Sequence, residues 1–182
     1  MNICVFCGSS IGQNRAFAEA ARELGRLMAA QSHTLIYGGG KVGLMGVVAD
    51  AVLESNGEVI GIIPDFLLQR EVGHRGLTRL EVVESMHERK YRMANLADAF
   101  VAMPGGWGTL DELAEILTWR QLGLINHPVA LLNINQFFTP LLEQMQHMAN
   151  MGFLKENYRE HFQIFETPQA LLTEIQSQKI QR

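Results

Sequence analysis

The chain has 182 residues, 47% hydrophobic and 19% charged, a composition that suits one globular domain with a substantial core. Its 15 basic and 19 acidic residues leave a net charge of −4, so a broad basic face for nucleic acid is not expected, although a local positive pocket would suffice for a small anion. No run approaches ~20 uninterrupted apolar residues, which excludes a membrane-spanning helix, and Met1–Phe6 lacks the basic start of a secretory signal, so the expected location is the cytoplasm.

The first predicted strand, Asn2–Cys7, carries a C-x-x-C pair, Cys4 and Cys7. Positions i and i+3 of a strand point to opposite faces. A reactive pair normally opens a helix, and zinc would need two more ligands. Both cysteines therefore read as buried thiols. The loop Cys7-Gly8-Ser9-Ser10 follows, without the G-x-S-x-G elbow of a nucleophilic serine. A helical pattern over Asn14–Gln31 leads to a strand at Thr34–Tyr37 and a second glycine-rich loop, Gly38-Gly39-Gly40-Lys41-Val42-Gly43, before a helix at Leu44–Ser55. This loop matches G-x-G-x-x-G. Asp65, just after the strand Glu58–Ile63, could serve as the ribose-binding acid of a dinucleotide site. It is not a P-loop, because Lys41 is followed by Val42 rather than a hydroxyl residue.

Within Glu58–Ile63, the run Val59-Ile60-Gly61-Ile62-Ile63 is continuously apolar, as expected of a strand buried on both faces. A strand at Arg79–Val83 precedes a helix at Met86–Leu96, on which Met86, Arg89, Lys90 and Met93 share one face. Two cations there either snorkel to water or meet a phosphate or carboxylate. The strand Ala99–Met103 then opens a third loop, Pro104-Gly105-Gly106-Trp107-Gly108-Thr109, ahead of a helix at Thr109–Leu122. Thr109-Leu110-Asp111-Glu112 has the form of a capping box. Glu112 also stands at the mouth of a loop shaped for phosphate, and a capped carboxylate is a preorganised one, so the two roles are compatible.

A strand at Pro128–Leu132, a helix at Gln136–Met148, a strand at Gln163–Phe165 and a helix at Pro168–Gln178 complete the chain. The Met-rich stretch Phe137–Met151 reads as core or subunit interface. The six histidines show no metal-ligand spacing, and no metal or cofactor is expected. Strand–helix alternation without a linker predicts a single α/β domain over residues 1–182: a doubly wound, mostly parallel, Rossmann-like sheet with helices on both faces. Such a sheet binds ligands beyond the carboxyl ends of its strands, where the strand order reverses. All three glycine-rich loops follow strands, and the helix N-termini after them suit an anion.

Two segments, Met86-His87-Glu88-Arg89-Lys90 and Pro104-Gly105-Gly106-Trp107-Gly108-Thr109-Leu110-Asp111-Glu112, resemble the M-H-x-R-K and P-G-G-x-G-T-x-x-E motifs of the LONELY GUY family of cytokinin-activating phosphoribohydrolases. Cys7–Ser10, Tyr37–Gly40 and Arg70–His74 are also similar, so the resemblance extends to about Phe165. It implies hydrolysis of the N-glycosidic bond of a nucleoside 5′-monophosphate, N6-substituted adenosine monophosphates included, to free base and ribose 5-phosphate. It implies catalytic roles for Arg89 and Glu112. Substrate contacts are implied for Gly8, Ser9, Gly43, Glu71, Met86, Lys90, Gly105, Gly106, Trp107, Gly108 and Thr109. It further implies a homodimer. A lysine decarboxylase label, often attached to such proteins, fits poorly, because Lys41 and Lys90 are the only lysines near the expected site. The alternatives are a dinucleotide-binding protein using Gly38–Gly43 and a non-catalytic nucleotide or cofactor carrier.

Overall fold

The computed structural model describes residues 1–70 and 73–180. Seven strands form one sheet: β1 Asn2–Phe6, β2 Thr34–Tyr37, β3 Val59–Pro64, β4 Arg79–Val83, β5 Ala99–Ala102, β6 Val129–Leu132 and β7 Gln163–Phe165. Their order is β4-β3-β2-β1-β5-β6-β7, and every ladder is parallel. This is the expected doubly wound architecture. The order reverses between β1 and β5, whose pairing runs from Ile3 opposite Ala99 to Phe6 opposite Ala102.

Beyond Asn2 of β1 and Thr34 of β2, the central strands are apolar and buried, because each of their faces meets a helical layer. Ile3 and Val5 of β1, Leu35 and Tyr37 of β2 and Ala99 and Val101 of β5 join one core cluster; Cys4, Phe6, Ile36, Phe100 and Ala102 join the other. The first cluster is closed by α1 Arg15–Ala30, α2 Gly43–Glu54 and α7 Pro168–Ile180. The second is closed by α4 Met86–Leu96, α5 Trp107–Gln121 and α6 Thr139–Asn150. Burying each such strand residue stabilises the fold by about 1.5–3 kcal/mol for a Val, Leu, Ile or Phe side chain.

Local chemistry sets the helix ends. Asn14 caps α1 by accepting from the Ala16 N–H at 3.0 Å. Ser85 caps α4 by accepting from the Glu88 N–H at 3.1 Å, while the Glu88 carboxylate accepts from the Glu84 N–H at 2.9 Å. The Ser-x-x-Glu box thus opens α4 rather than α5. Two helical features were not anticipated: the short α3 Asp65–Arg70, and 3₁₀ turns at Ile134–Gln136 and Glu156–His161. Among the described residues no helix is long and apolar enough to cross a membrane.

Candidate active site

At the switch point the carboxyl ends of β1 and β5 release the loops that begin at Cys7 and Met103. The Gly8 N–H donates to the Pro104 carbonyl at 3.1 Å, tying the two loops together. Between them and α4 lies a cavity of about 230 Å³, lined by Gly8, Ser9, Met86, Arg89, Gly106, Trp107, Gly108, Thr109 and Glu112, with Val5, Cys7, Gly38, Met45 and Leu67.

Its most unusual feature is a buried ion pair. Arg89, on α4, donates from Nη1 to Glu112 Oε1 on α5 at 2.7 Å, and from Nε to the Ile62 carbonyl of β3 at 3.2 Å. Both side chains are about nine-tenths buried. Burial pushes the Glu112 carboxyl above the ordinary glutamate range, and the neighbouring Arg89 charge offsets only part of that. The capping-box role expected of Glu112 is not what the structure shows. Gly106 is the residue before α5, so Thr109 already lies inside the helix, and the Glu112 carboxylate bonds Arg89. Thr109 is itself buried, with its hydroxyl packed against Gly105.

The second glycine loop forms the wall behind Arg89. A Cβ at Gly38 would stand 1.9 Å from Arg89 Nη2, so no larger residue leaves the guanidinium where it is. Gly43 serves another purpose. It has φ +66°, and a Cβ there would fall 2.2 Å from the Ser9 carbonyl carbon. The amides of Leu44 and Met45, which open α2, both donate to the Gly8 carbonyl, at 2.9 and 3.3 Å. The N-terminus of α2 is therefore occupied by the first loop and leaves no seat for a pyrophosphate. Asp65 is engaged with Gln69 at 2.9 Å and does not line the cavity. Both halves of the dinucleotide reading fail on this geometry.

The remaining expected residues are placed as follows. Gly8, Ser9, Met86 and Gly106–Thr109 line the cavity, while Gly105 lies on an adjoining apolar cavity with Phe17 and Phe137. Lys90 turns away from both: its Nζ bonds Asp111 at 3.1 Å and Glu115 at 3.2 Å, clamping α4 to α5. Burial alone would lower its basicity, but the two carboxylates outweigh it and hold the ammonium above the usual lysine range. Glu71 lies outside the described residues. Cys7 lines the cavity as a protonated thiol, because burial and then the Glu112 charge raise it well above the usual cysteine range. The sequence reading did not name Val5, Met45 or Leu67 for this site. Gly38, which the sequence assigns to a dinucleotide, is the first glycine of the G-x-G-x-x-G loop, Met45 follows that loop, and Leu67 sits on the unanticipated α3.

Comparison with known proteins places this site in context. A family model described as "Possible lysine decarboxylase" matches residues 45–175. A probable cytokinin riboside 5′-monophosphate phosphoribohydrolase of Oryza sativa subsp. japonica is 42% identical over 96% of this chain and 71% of its own length. The cytokinin riboside 5′-monophosphate phosphoribohydrolase of Rhodococcoides fascians is 43% identical over 97% of this chain and 89% of its own. The chain belongs to the LONELY GUY family. Among solved structures, the molybdenum cofactor binding protein from Rippkaea orientalis superposes with a TM-score of 0.72 at 22% identity, covering 97% of this chain and 94% of its own. At that identity the likeness speaks for the fold alone. The Arg89–Glu112 pair joins the two motif segments by which the LONELY GUY resemblance was read, 23 residues apart in sequence and 2.7 Å apart in space.

Proposed function

We propose that this protein hydrolyses the N-glycosidic bond of nucleoside 5′-monophosphates, N6-substituted adenosine monophosphates among them, giving free base and ribose 5-phosphate. The observation that carries the reading is the buried Arg89–Glu112 pair in a cavity whose rim is a helix N-terminus. The 5′-phosphate sits at the start of α5, over Gly106–Thr109, where first-turn N–H groups lack partners within the helix and the dipole is positive. That places the ribose beneath Arg89 and Glu112, with Gly8, Ser9 and Met86 as neighbouring walls.

Ionised Glu112 stabilises the positive charge that develops at C1′ and turns a water toward that carbon. The water's hydroxyl joins C1′ as the C1′–N bond breaks, and its remaining proton leaves with the base. Arg89 keeps Glu112 ionised and oriented, and offers its other N–H groups to substrate oxygens. A lysine decarboxylase is supported less well, since among the described residues the cavity lining includes no lysine to anchor pyridoxal phosphate. The protein works as a homodimer through the α4–α5–α6 layer, which carries Tyr91, Trp107, Leu122, Leu124, Met151 and Phe153 exposed to water. Two free buried thiols suit the reducing cytoplasm. Incubation with AMP and, separately, with lysine tests the activity: free adenine and ribose 5-phosphate are expected from the first, and no cadaverine from the second. The reverse outcome overturns the reading.

A further inference from the structure

Gly73 and His74 are fastened to the Arg89 wall by backbone bonds and by one buried side chain. His74 is only 6% exposed. Its Nε2 lies 2.8 Å from Asp50 Oδ1 on α2, and its Nδ1 accepts from the Gly76 N–H at 3.2 Å. With Nδ1 accepting from Gly76, Nε2 is the ring nitrogen that faces Asp50 as donor. The His74 backbone N–H donates to the Gly39 carbonyl at 3.0 Å, and Gly73 forms an antiparallel bridge with Gly40. One residue before Gly39 stands Gly38, whose Cα faces the Arg89 guanidinium.

We infer that His74, through its bond to Asp50, is a positioning residue for Arg89: it pins the Gly38–Gly40 loop so that the guanidinium stays in line with Glu112. The inference rests on the hydrolase reading above. Arg89 has three restraints: the Ile62 carbonyl, the Glu112 carboxylate and the Gly38 backbone. The first is fixed by the β2–β3–β4 ladders. The third belongs to a loop of glycines, which has no side chains of its own to hold it. His74 supplies that hold from outside, with α2 as the rigid anchor. A loop free to shift by about an ångström would misalign Arg89 and Glu112 while leaving the phosphate seat at α5 untouched, a displacement that affects chemistry more than binding.

The test compares kcat and KM for AMP in the full-length wild type, His74→Ala, His74→Gln, His74→Asn and Asp50→Ala, with folding followed by circular dichroism. His74→Ala is expected to lower kcat by about 10- to 100-fold with KM within about twofold. His74→Gln, whose amide can still donate toward Asp50, is expected to restore most of the loss. The shorter His74→Asn, which can serve only the Gly76 N–H, is not. Asp50→Ala sits on a half-exposed position of α2 where alanine suits the helix. It is expected to reproduce the His74→Ala loss and keeps the test open if that variant fails to fold. A wild type that releases adenine, together with a folded His74→Ala or Asp50→Ala enzyme at full kcat, overturns this inference alone. A wild type that releases no base from any nucleoside monophosphate overturns the hydrolase reading and this inference with it.

Discussion

Under the proposed hydrolysis, Glu112 carries two demands that pull in opposite directions. Stabilising a cationic sugar requires its carboxylate to be ionised, yet burial raises its affinity for a proton above that of an ordinary glutamate. Arg89 holds the balance. Replacing Glu112 by glutamine keeps an oxygen for Arg89 but removes the charge, so kcat is expected to fall ~10²–10³-fold while AMP still binds. Near-normal kcat in a folded Glu112→Gln enzyme, measured by adenine release, would leave the residue a structural partner of Arg89. The pH dependence follows from the same raised carboxyl. Activity needs the ionised form, so kcat/KM is expected to rise with pH through a midpoint above the usual glutamate range. The stability sign is opposite: a folded-state carboxyl with a raised pKa favours folding below its unfolded value and loses that contribution as pH rises through the folded one. A pH–rate profile with its acid limb at an ordinary glutamate value would count against the burial argument. Arg89 and Glu112 were legible in the sequence through motif spacing. The pairing of one with the other was not, because it depends on how α4 and α5 cross the end of β1. The T-x-x-E pattern pointed instead to a local cap, and Gly106 takes that position.

At the scale of elements, two helix N-termini face the same loop and differ in what they leave open. The amides opening α2 are spent on the Gly8 carbonyl, whereas the start of α5 borders the cavity. Of these two helix ends, the start of α5 is the proposed phosphate seat, and this predicts that AMP is cleaved and adenosine essentially not. Two or three charge-assisted hydrogen bonds of ~1.5–3 kcal/mol each give at least about a thousandfold preference. Comparable kcat/KM for the two substrates in one buffer would return the glycine loops to being simple turns. A remote phosphate also helps orient the sugar, so kcat is expected to fall along with the rise in KM. The strands were readable in advance because burial on both faces leaves unbroken apolar runs such as Val59–Ile63. The final third was harder. A helix expected from Gln136 begins at Thr139, because Asn135 and Gln136 adopt left-handed backbone angles and the Asn133 side chain accepts from the Phe138 N–H at 2.7 Å. The six residues of α3 are too few to show a helical period.

For the molecule as a whole, the two faces of the sheet are not equivalent. The layer of α1, α2 and α7 is closely packed, and its exposed large apolar residues, Ile11, Val42 and Phe137, lie outside its helices. The opposite layer displays Tyr91 on α4, Trp107 at the start of α5, Leu122 and Leu124 beyond its end, and Met151 and Phe153 beyond α6, with Trp107 88% exposed. Scattered apolar residues are normal on a protein surface, but half of the exposed large ones among the described residues share a single layer, the one that also bears Arg89 and Glu112. A two-fold axis there would cover the patch with its own copy and close the mouth of the cavity near Trp107. Sedimentation is therefore expected to give a mass of twice 20.4 kDa. Replacing Leu124 and Phe153 together by glutamate sets like charges against each other across such an axis, and is expected to yield folded monomers. Those monomers are expected to lose AMP hydrolysis, and the wild type to lose it in step with dissociation as it is diluted. A wild type that sediments as a monomer at micromolar concentration, with full activity, would mean that this face is simply surface.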